Sequence, residues 1–334
     1  MKDQPEKIID SNILKCSIDK SITQIYLSLM DYKNNYFISK DQEKIIQFYK
    51  SFADRDDLIE WMKERPKGSC EIREVEGEED IIVVIPTTDF DGKYAKTCRE
   101  EIFKGMHIIF VVSGKGNHYF NYAHNCNVGI KKSLEYNPKW IIISNDDMYK
   151  VDDPEKLIQE LSELPNDVDV VYTISPEGRF SIECQVVRFT RFYSIYELFR
   201  SKGRYYNVFY RKFNIKYGTV RKYIGPSIIN LIIKFMLAKP VKSIGEYIEN
   251  TSFGIFSYRY IKKRGGELFD ETFINTKEDT DVSLFNSIHK ARGIKINYKI
   301  GDLLSRTLGR GKDRYLREIA GSAYFCYKYR DMLK

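Results

Sequence analysis

The chain has 334 residues, of which 43% are hydrophobic and 14% aromatic, so it is long enough for one large α/β domain or two smaller ones and too apolar for a disordered chain. Its six cysteines are scattered singly with no CxxC pair, which argues against a disulfide framework or a zinc site and favours a reducing compartment. The formal net charge is +7, and neither a signal peptide nor an apolar run of the roughly 18 residues that span a membrane is recognisable, so we expect a cytoplasmic protein.

The first part of the chain, residues 1–80, predicts a helical N-terminal extension. A capping-box pattern begins at Ser39, and Asp54 is a second N-cap candidate, so each predicts a helix directly after it. The acidic run 71–80 predicts a solvated linker or the edge of a sheet.

Residues 81–300 alternate between apolar runs and helical segments. Continuous β-branched runs are typical of strands that are buried on both faces. The alternation predicts βαβ units, hence a mostly parallel mixed sheet with flanking helices. The predicted strands cover 81–86, 107–112, 140–144, 168–173, 253–258 and 294–300, and the predicted helices 94–104, 121–135, 154 onwards, 259–263 and 279–290. The remainder, 301–334, predicts a basic loop followed by a C-terminal helix.

The stretch 188–242 is a basic, aromatic insertion, expected to be helical. It holds 13 Lys and Arg against one acid, and 13 aromatic residues. Three interpretations compete: docking on an anionic membrane surface, binding of nucleic acid, or a subdomain with core aromatics and solvated charges. Nucleic acid is the least favoured. If the stretch docks on a membrane, we expect the protein to lie peripherally on the inner membrane face.

Polar residues follow three of the predicted strands directly. They are Thr87, Ser113 and the triplet Asn145-Asp146-Asp147. In α/β sheets the ligand lies beyond the carboxyl ends of the strands, so these residues should converge on one crevice. Because Mg²⁺ and Mn²⁺ prefer carboxylate and amide oxygens, the triplet predicts a metal site facing a diphosphate; the alternative is a polar turn.

A second acidic cluster lies later in the chain. It consists of Glu278, Asp279 and Asp281, and Asp270 and Glu271 precede it. Such acids are ordinary at a helix N-terminus, where the helix dipole stabilises them. For these acids taken alone this interpretation is favoured, but five acids within twelve residues also suit a general base that removes a proton from an acceptor hydroxyl.

The ordered runs IIVVIPTTD, HIIFVVSG, NCNVGIKKS, WIIISNDDM and GGELFDETFINTKEDTDVS resemble the family 2 glycosyltransferases over about residues 81–175 and 250–300. The matched positions are Asn127 and Gly129 for an N-x-G helix, Asn145 and Asp147 for the metal motif, Asp270 and Glu271 for the FDE segment, and Glu278 and Asp279 for the ED pair.

This resemblance implies the GT-A (Rossmann-like) fold and the inverting, Mn²⁺- or Mg²⁺-dependent transfer of a sugar from a nucleotide sugar to a hydroxyl. It implies metal ligation by Asn145 and Asp147, and proton removal by Asp279 with Glu278 as its neighbour. The implied nucleotide-sugar site comprises Thr87, Thr88, Asp89, Ser113, Asn127 and Asp146. The acceptor, whether glycan, lipid phosphate or protein, is not implied. The basic loop with Arg306, Arg310, Lys312 and Arg314 either closes over the diphosphate or is solvated.

The chain departs from the family pattern in four places. Ser113 and Gly114 stand where the family usually has an aspartate that binds the nucleotide base, so the identity of the base is left open and Asp89 is the candidate substitute. Two extra residues precede the FDE segment, and no histidine follows His289, so a late histidine metal ligand is missing. The processive QxxRW motif is also absent, which favours the addition of a single sugar. Two rival functions remain: a sugar-nucleotide nucleotidyltransferase, whose G-x-G-x-R loop is missing here, and a non-catalytic nucleotide- or RNA-binding module on a GT-A-like core.

Overall fold

The computed structural model describes residues 27–176, 180–190, 204–221, 238–248, 252–303 and 313–333. These residues form an α/β structure with an eight-stranded mixed sheet, flanking helices and a separate three-stranded antiparallel sheet. The strands are β1 Glu71–Val75, β2 Glu78–Thr87, β3 Met106–Val112, β4 Trp140–Ser144, β5 Met148–Lys150, β6 Val170–Ile174, β7 Phe180–Phe189, β8 Tyr217–Arg221, β9 Ala238–Ile248, β10 Phe253–Ser257 and β11 Gly293–Asp302.

Some helices pack on the two faces of the large sheet, and others share a core with the three-stranded sheet. The helices are α1 at 27–37, α2 Gln42–Lys50, α3 Arg55–Glu64, α4 Lys93–Thr97 with a π-helical continuation Cys98–Ile102, α5 Tyr122–Ser133 with a 3₁₀ turn Leu134–Tyr136, α6 Pro154–Ser162, α7 Arg204–Lys212, α8 Tyr258–Lys263, α9 Glu278–Ile288 and α10 Asp313–Lys328.

The strand order of the large sheet is β1-β3-β2-β4-β10-β6-β11-β5. The expectation of a mostly parallel sheet is wrong, because only three of the seven pairings between these strands are parallel: β2 with β3, β2 with β4, and β6 with β11. Strand β10 inserts antiparallel between β4 and β6, and the edge strands β1 and β5 are also antiparallel. The predicted continuous apolar strands are confirmed, since every residue of β4 is buried.

The N-terminal helices share a hydrophobic core with the C-terminal helix. Trp61 and Phe48 from α3 and α2 belong to the same buried cluster as Phe209 of α7 and Phe325 of α10. The acidic run then supplies β1, which pairs with β3 at the sheet edge, as one of its two interpretations expected. Residues 1–26 of the predicted extension lie outside the described residues.

Helix starts are partly as predicted. Asp54 accepts hydrogen bonds from the backbone N–H groups that follow it, so its capping role is confirmed. The capping box at Ser39 is wrong: helix α2 begins at Gln42, and its N-cap is Asp41, which accepts from the Glu43 N–H at 2.9 Å. Ser39 instead accepts from the Asp41 N–H, so its hydroxyl is used one turn before the helix starts.

The described part of the basic insertion is not simply helical. It contributes helix α7, strand β8, the last two residues of β7 and the first five of β9, so the expectation of a helical insertion is wrong for these residues. The aromatic side chains of Phe209, Phe213 and Tyr217 are buried in the core shared with α2 and α10, which supports a subdomain role for this portion. Residues 191–203 and 222–237 of the insertion lie outside the described residues, and membrane docking stays a prediction.

Two absences hold for the described ranges. None of the helices there is both long and apolar enough to cross a membrane. The cysteines in these ranges, Cys70, Cys98, Cys126, Cys184 and Cys326, form no disulfide, and all but Cys70 are buried. Cys16 lies outside the described residues.

Candidate active site

A cavity of about 220 Å³ opens at the carboxyl ends of β2 and β4. Its walls come from these strand ends, the end of β11, the loop before α5, the start of α9 and one side of α10. The two acidic groups that the sequence singled out, at residues 145–147 and 278–279, both line it although about 130 residues separate them. The fold thus brings together, in one cavity, residues that the sequence placed at a strand end (145–147) and at a helix start (278–279).

The acidic triplet is fixed by residues at the ends of β2, β10 and β11. The Asn145 N–H donates to the Ser252 carbonyl at 2.8 Å, and the Leu303 N–H donates to the Asp147 carbonyl at 3.0 Å. The Thr87 hydroxyl donates to the Asp146 carboxylate at 2.7 Å. Burial raises the pKa of Asp146 despite this hydrogen bond. Asn145, Asp146 and Asp147 therefore all line the cavity in a constrained turn rather than in an open, solvated one.

Asp302 is a cavity residue that the sequence reasoning missed. It is 5% exposed and ends β11, opposite Met148 in β5. The prediction ended this strand at residue 300, where the apolar alternation stops. Placing the strand end two residues later would have shown a third strand-end carboxylate at the same edge of the sheet as Asp147.

The first turn of α9 presents Glu278 and Asp279 to the cavity. The preceding residue, Lys277, has a φ of 70°, a left-handed conformation that a non-glycine side chain adopts at a cost and that is concentrated at functional sites. Asp279 accepts hydrogen bonds from the Thr280 N–H at 2.6 Å and the Thr280 hydroxyl at 3.2 Å. One oxygen of Asp279 is therefore held by hydrogen bonds from the next residue of the helix.

Glu278 is the buried member of this pair. Its Oε2 atom has no hydrogen-bond partner among the described residues. Burial first, and the nearby charge of Asp279 second, raise the pKa of Glu278 to about 8. Glu278 therefore holds its proton at neutral pH and faces the cavity as a neutral carboxyl group.

The other acids of the second cluster are used to hold helices together. Asp281 is 1% exposed and pairs with the Lys328 ammonium at 2.6 Å and the Tyr329 hydroxyl at 2.7 Å. Lys328 also pairs with Asp270 at 2.9 Å. Burial opposes ionisation of Asp270, but the charge and hydrogen bond of Lys328 hold its pKa below the usual range. Asp270 and Asp281 thus connect α9 and the preceding loop to α10.

Asn127 lies away from the cavity walls. Its buried amide accepts from the N–H groups of Leu268 and Phe269 and donates to the Phe269 carbonyl at 2.9 Å, which holds the 268–271 segment against α5. At Gly129 an added Cβ would lie 2.3 Å from the Val84 side chain, so glycine permits the close approach of α5 to β2. The N-x-G pattern is therefore explained by structure: Asn127 holds the 268–271 segment, and Gly129 lets α5 approach β2.

The remaining predicted nucleotide-site residues lie at or beside the cavity. Thr87 and Thr88 line it. Ser113 is outside its walls but bonds the Thr87 carbonyl through its N–H at 2.9 Å and its hydroxyl at 3.2 Å. Asp89 pairs with Lys115 at 2.8 Å near the surface, and this partner lowers its pKa. Ser113, Asp89 and Lys115 therefore form a polar rim beside Thr87 but are not among the residues that line the cavity.

The described part of the cavity is strongly acidic. Its acids are Asp146, Asp147, Glu278, Asp279, Asp302 and Glu318, against two cations, Lys277 and Arg314. In the described ranges no group of three or more His, Cys, Asp and Glu side chains is arranged to hold a metal. A site with one or two carboxylates plus substrate phosphates, as Mg²⁺ uses, does not require such a group. Arg306, Arg310 and Lys312 of the predicted basic loop lie outside the described residues.

No family model and no curated protein matches this chain. What the cavity can do must therefore be inferred from its own side chains.

Proposed function

We propose that this chain is a metal-dependent glycosyltransferase of the GT-A fold that moves a sugar from a nucleotide donor to an acceptor hydroxyl with inversion. The observation that carries the proposal is the convergence of the strand-end triplet 145–147 and the helix-start acids 278–279 on one cavity beside Thr87 and Thr88. One acidic group suits a cation with a diphosphate, and the other suits proton removal from a hydroxyl.

The charge of the cavity supports a role for a divalent cation. A nucleotide diphosphate is an anion, and it would meet mostly carboxylates here, so its binding is favoured only if a cation accompanies it. Asn145 and Asp147 offer the hard oxygen ligands that Mn²⁺ and Mg²⁺ take. When bound, such an ion neutralises the charge of the leaving diphosphate. Thr87 and Asp146, joined by a hydrogen bond, are suited to orient the nucleoside end of the donor.

Proton removal is assigned to the Glu278–Asp279 pair, with Asp279 as the base. A neutral Glu278 has no capacity to accept a proton near pH 7, whereas it can donate a hydrogen bond. In the reaction the acceptor hydroxyl gives its proton to the Asp279 carboxylate while its oxygen bonds to the anomeric carbon. The bond from that carbon to the diphosphate oxygen breaks, and its electrons leave with the nucleotide. A single displacement of this kind inverts the anomeric centre.

A donor screen tests the proposal. UDP-, GDP- and dTDP-sugars are added to the purified protein with Mn²⁺, and the melting temperature is followed, because a ligand that binds the native state raises it. Sugars that shift the melting temperature are then incubated and their products identified by mass spectrometry. The proposal requires release of a nucleoside diphosphate. If pyrophosphate is added, formation of a nucleoside triphosphate and a sugar 1-phosphate would instead indicate a nucleotidyltransferase. Binding with no turnover on any acceptor or water would indicate a non-catalytic nucleotide-binding module.

A further inference from the structure

Arg65, directly after α3, is a buried cation with no carboxylate partner among the described residues. It is 2% exposed, and burial lowers its pKa to about 10. Its Nε donates to the Asn34 Oδ1 at 2.8 Å, its Nη2 donates to the His118 carbonyl at 3.2 Å, and its guanidinium lies 5.2 Å from the centre of the Tyr119 ring. A buried charge is costly unless its donors are used, and here main-chain and amide oxygens use them.

The segment that Arg65 holds is the loop between β3 and α5, residues 113–121. The N-terminal part of the chain contacts this loop repeatedly. The Asn34 amide donates to the His118 carbonyl at 3.0 Å, and the Gly68 N–H donates to the Tyr119 carbonyl at 3.0 Å. At Gly68 an added Cβ would lie 2.4 Å from the Asn117 side chain, so a larger residue would have to displace this amide, which donates to the Ser69 and Ser113 carbonyls.

The same loop forms part of the cavity wall. Phe120 lines the cavity, as does Tyr122 at the start of α5. Asn275 joins this wall to the turn before α9: its Oδ1 accepts from the Tyr122 N–H at 2.8 Å, and its Nδ2 donates to the Phe120 carbonyl at 3.4 Å. Asn275 is three residues before Glu278. The loop is therefore held by Arg65 on its outer side and contacts the turn that presents the cavity acids on its inner side.

We infer that Arg65 is a positioning residue that holds the β3–α5 loop as a wall of the donor cavity, which makes the N-terminal helices part of the nucleotide site. The role of the wall in donor binding rests on the proposed function; the hold on the loop does not. Arg65 provides a planar fork of donors that reaches an amide oxygen and a main-chain carbonyl together. Lysine, with its single ammonium, does not reproduce this geometry.

Limited trypsin digestion tests the hold on the loop without any ligand. Lys115 lies in the loop with its side chain 78% exposed, and cleavage after it is identified by mass spectrometry. In Arg65→Met the loop opens more often, so we expect cleavage at Lys115 to accelerate about tenfold or more, in proportion to the open population. Arg65→Lys should fall between the wild type and Arg65→Met, and it keeps the test valid if Arg65→Met does not fold.

Ile59→Ala is the matched control, because it removes a buried side chain from the same helix and leaves Arg65 in place. At an equal loss in melting temperature it should cleave at Lys115 more slowly than the Arg65 variants. Equal cleavage in the control and the Arg65 variants, or wild-type cleavage in both Arg65 variants, would overturn the inference.

The second readout is the affinity for UDP, GDP and dTDP with Mn²⁺, measured by calorimetry. If the wall is correctly placed only about a tenth of the time in Arg65→Met, the dissociation constant rises about tenfold. With saturating donor, kcat should stay within about threefold of the wild type, because Asp147 and Asp279 belong to other elements. A faster cleavage at Lys115 with unchanged nucleotide affinity would show that the loop is not a donor wall. If the wild type binds none of UDP, GDP and dTDP with Mn²⁺, the proposed function fails, and the digestion still decides the role of Arg65.

Discussion

At the scale of single residues, Glu278 and Asp279 show how adjacent acids acquire different chemistry. Both follow the left-handed Lys277, but Glu278 keeps one buried oxygen without a partner, whereas Asp279 is bonded by Thr280. Pairs of carboxyl groups whose environments differ in this way take different acid and base roles. Two predictions follow from that difference.

The first prediction concerns catalysis. Asp279→Asn keeps the size of the side chain but cannot accept a proton, so kcat should fall by about 10²–10⁴-fold, while the donor dissociation constant stays within a few-fold. Glu278→Gln should retain most of the turnover, because glutamine resembles the protonated glutamic acid. Both quantities are measured for both variants. A dead Glu278→Gln with an active Asp279→Asn would move the base by one residue, and two active variants would exclude this base mechanism.

The second prediction concerns stability and pH. The folded pKa of Glu278, about 8, lies above its ordinary value of 4.5, so the folded state binds more protons than the unfolded state between these values. Its contribution to stability is therefore full below about pH 4.5 and is lost as the pH rises through about 8. Glu278→Gln does not titrate, so its melting temperature relative to wild type should rise steadily from pH 5 to pH 8. Calorimetry at several pH values measures this, with the exposed Glu155→Gln as the control. Parallel curves for the wild type and Glu278→Gln would contradict the raised pKa.

At the scale of elements, helices α9 and α10 are joined by the buried Asp281, which pairs with Lys328 and accepts from the Tyr329 hydroxyl. We expect Asp281→Asn to lower the free energy of unfolding by about 2 kcal/mol, because both groups lose a charged acceptor while Asp270 still pairs with Lys328. Urea denaturation measures this loss. The exposed pair of Lys131 and Glu267 provides the control, and Glu267→Gln should change stability little. An Asp281→Asn protein as stable as the wild type would show that the pair does not hold the two helices.

The elements also show what local patterns predict. The strand over 140–144 is confirmed at both ends, and the one over 107–112 extends by a single residue, because buried β-branched runs carry a strong local signal. The insertion of β10 between β4 and β6 was not predicted, since strand pairing between distant segments leaves no local pattern. The end of β11 was missed for a related reason: polar Asp302 continues the strand by pairing with β5, not by apolar alternation.

At the scale of the whole molecule, the candidate site draws on residues from β2 to α10. Thr87 and Asn145–Asp147 were predictable, because the ends of strands mark where polar groups meet, whereas Glu278 and Asp279 were assigned through the resemblance to glycosyltransferases. Arg65 was not predictable, since a single arginine at a helix end has no local signature of burial. The N-terminal helices looked like a separate extension in the sequence, but they share one core with α10 and contact the wall of the cavity.

The most direct test of the central claim is the release of nucleoside diphosphate from the best nucleotide sugar of the donor screen, with and without excess EDTA. A site in which Asn145 and Asp147 bind the cation predicts that EDTA abolishes turnover, that added Mn²⁺ restores it, and that Asp147→Asn stays inactive. The matched control is Asp80→Asn, an exposed acid at the opposite end of β2, which should behave as the wild type. Undiminished turnover in EDTA, or a fully active Asp147→Asn, would contradict the metal-dependent mechanism.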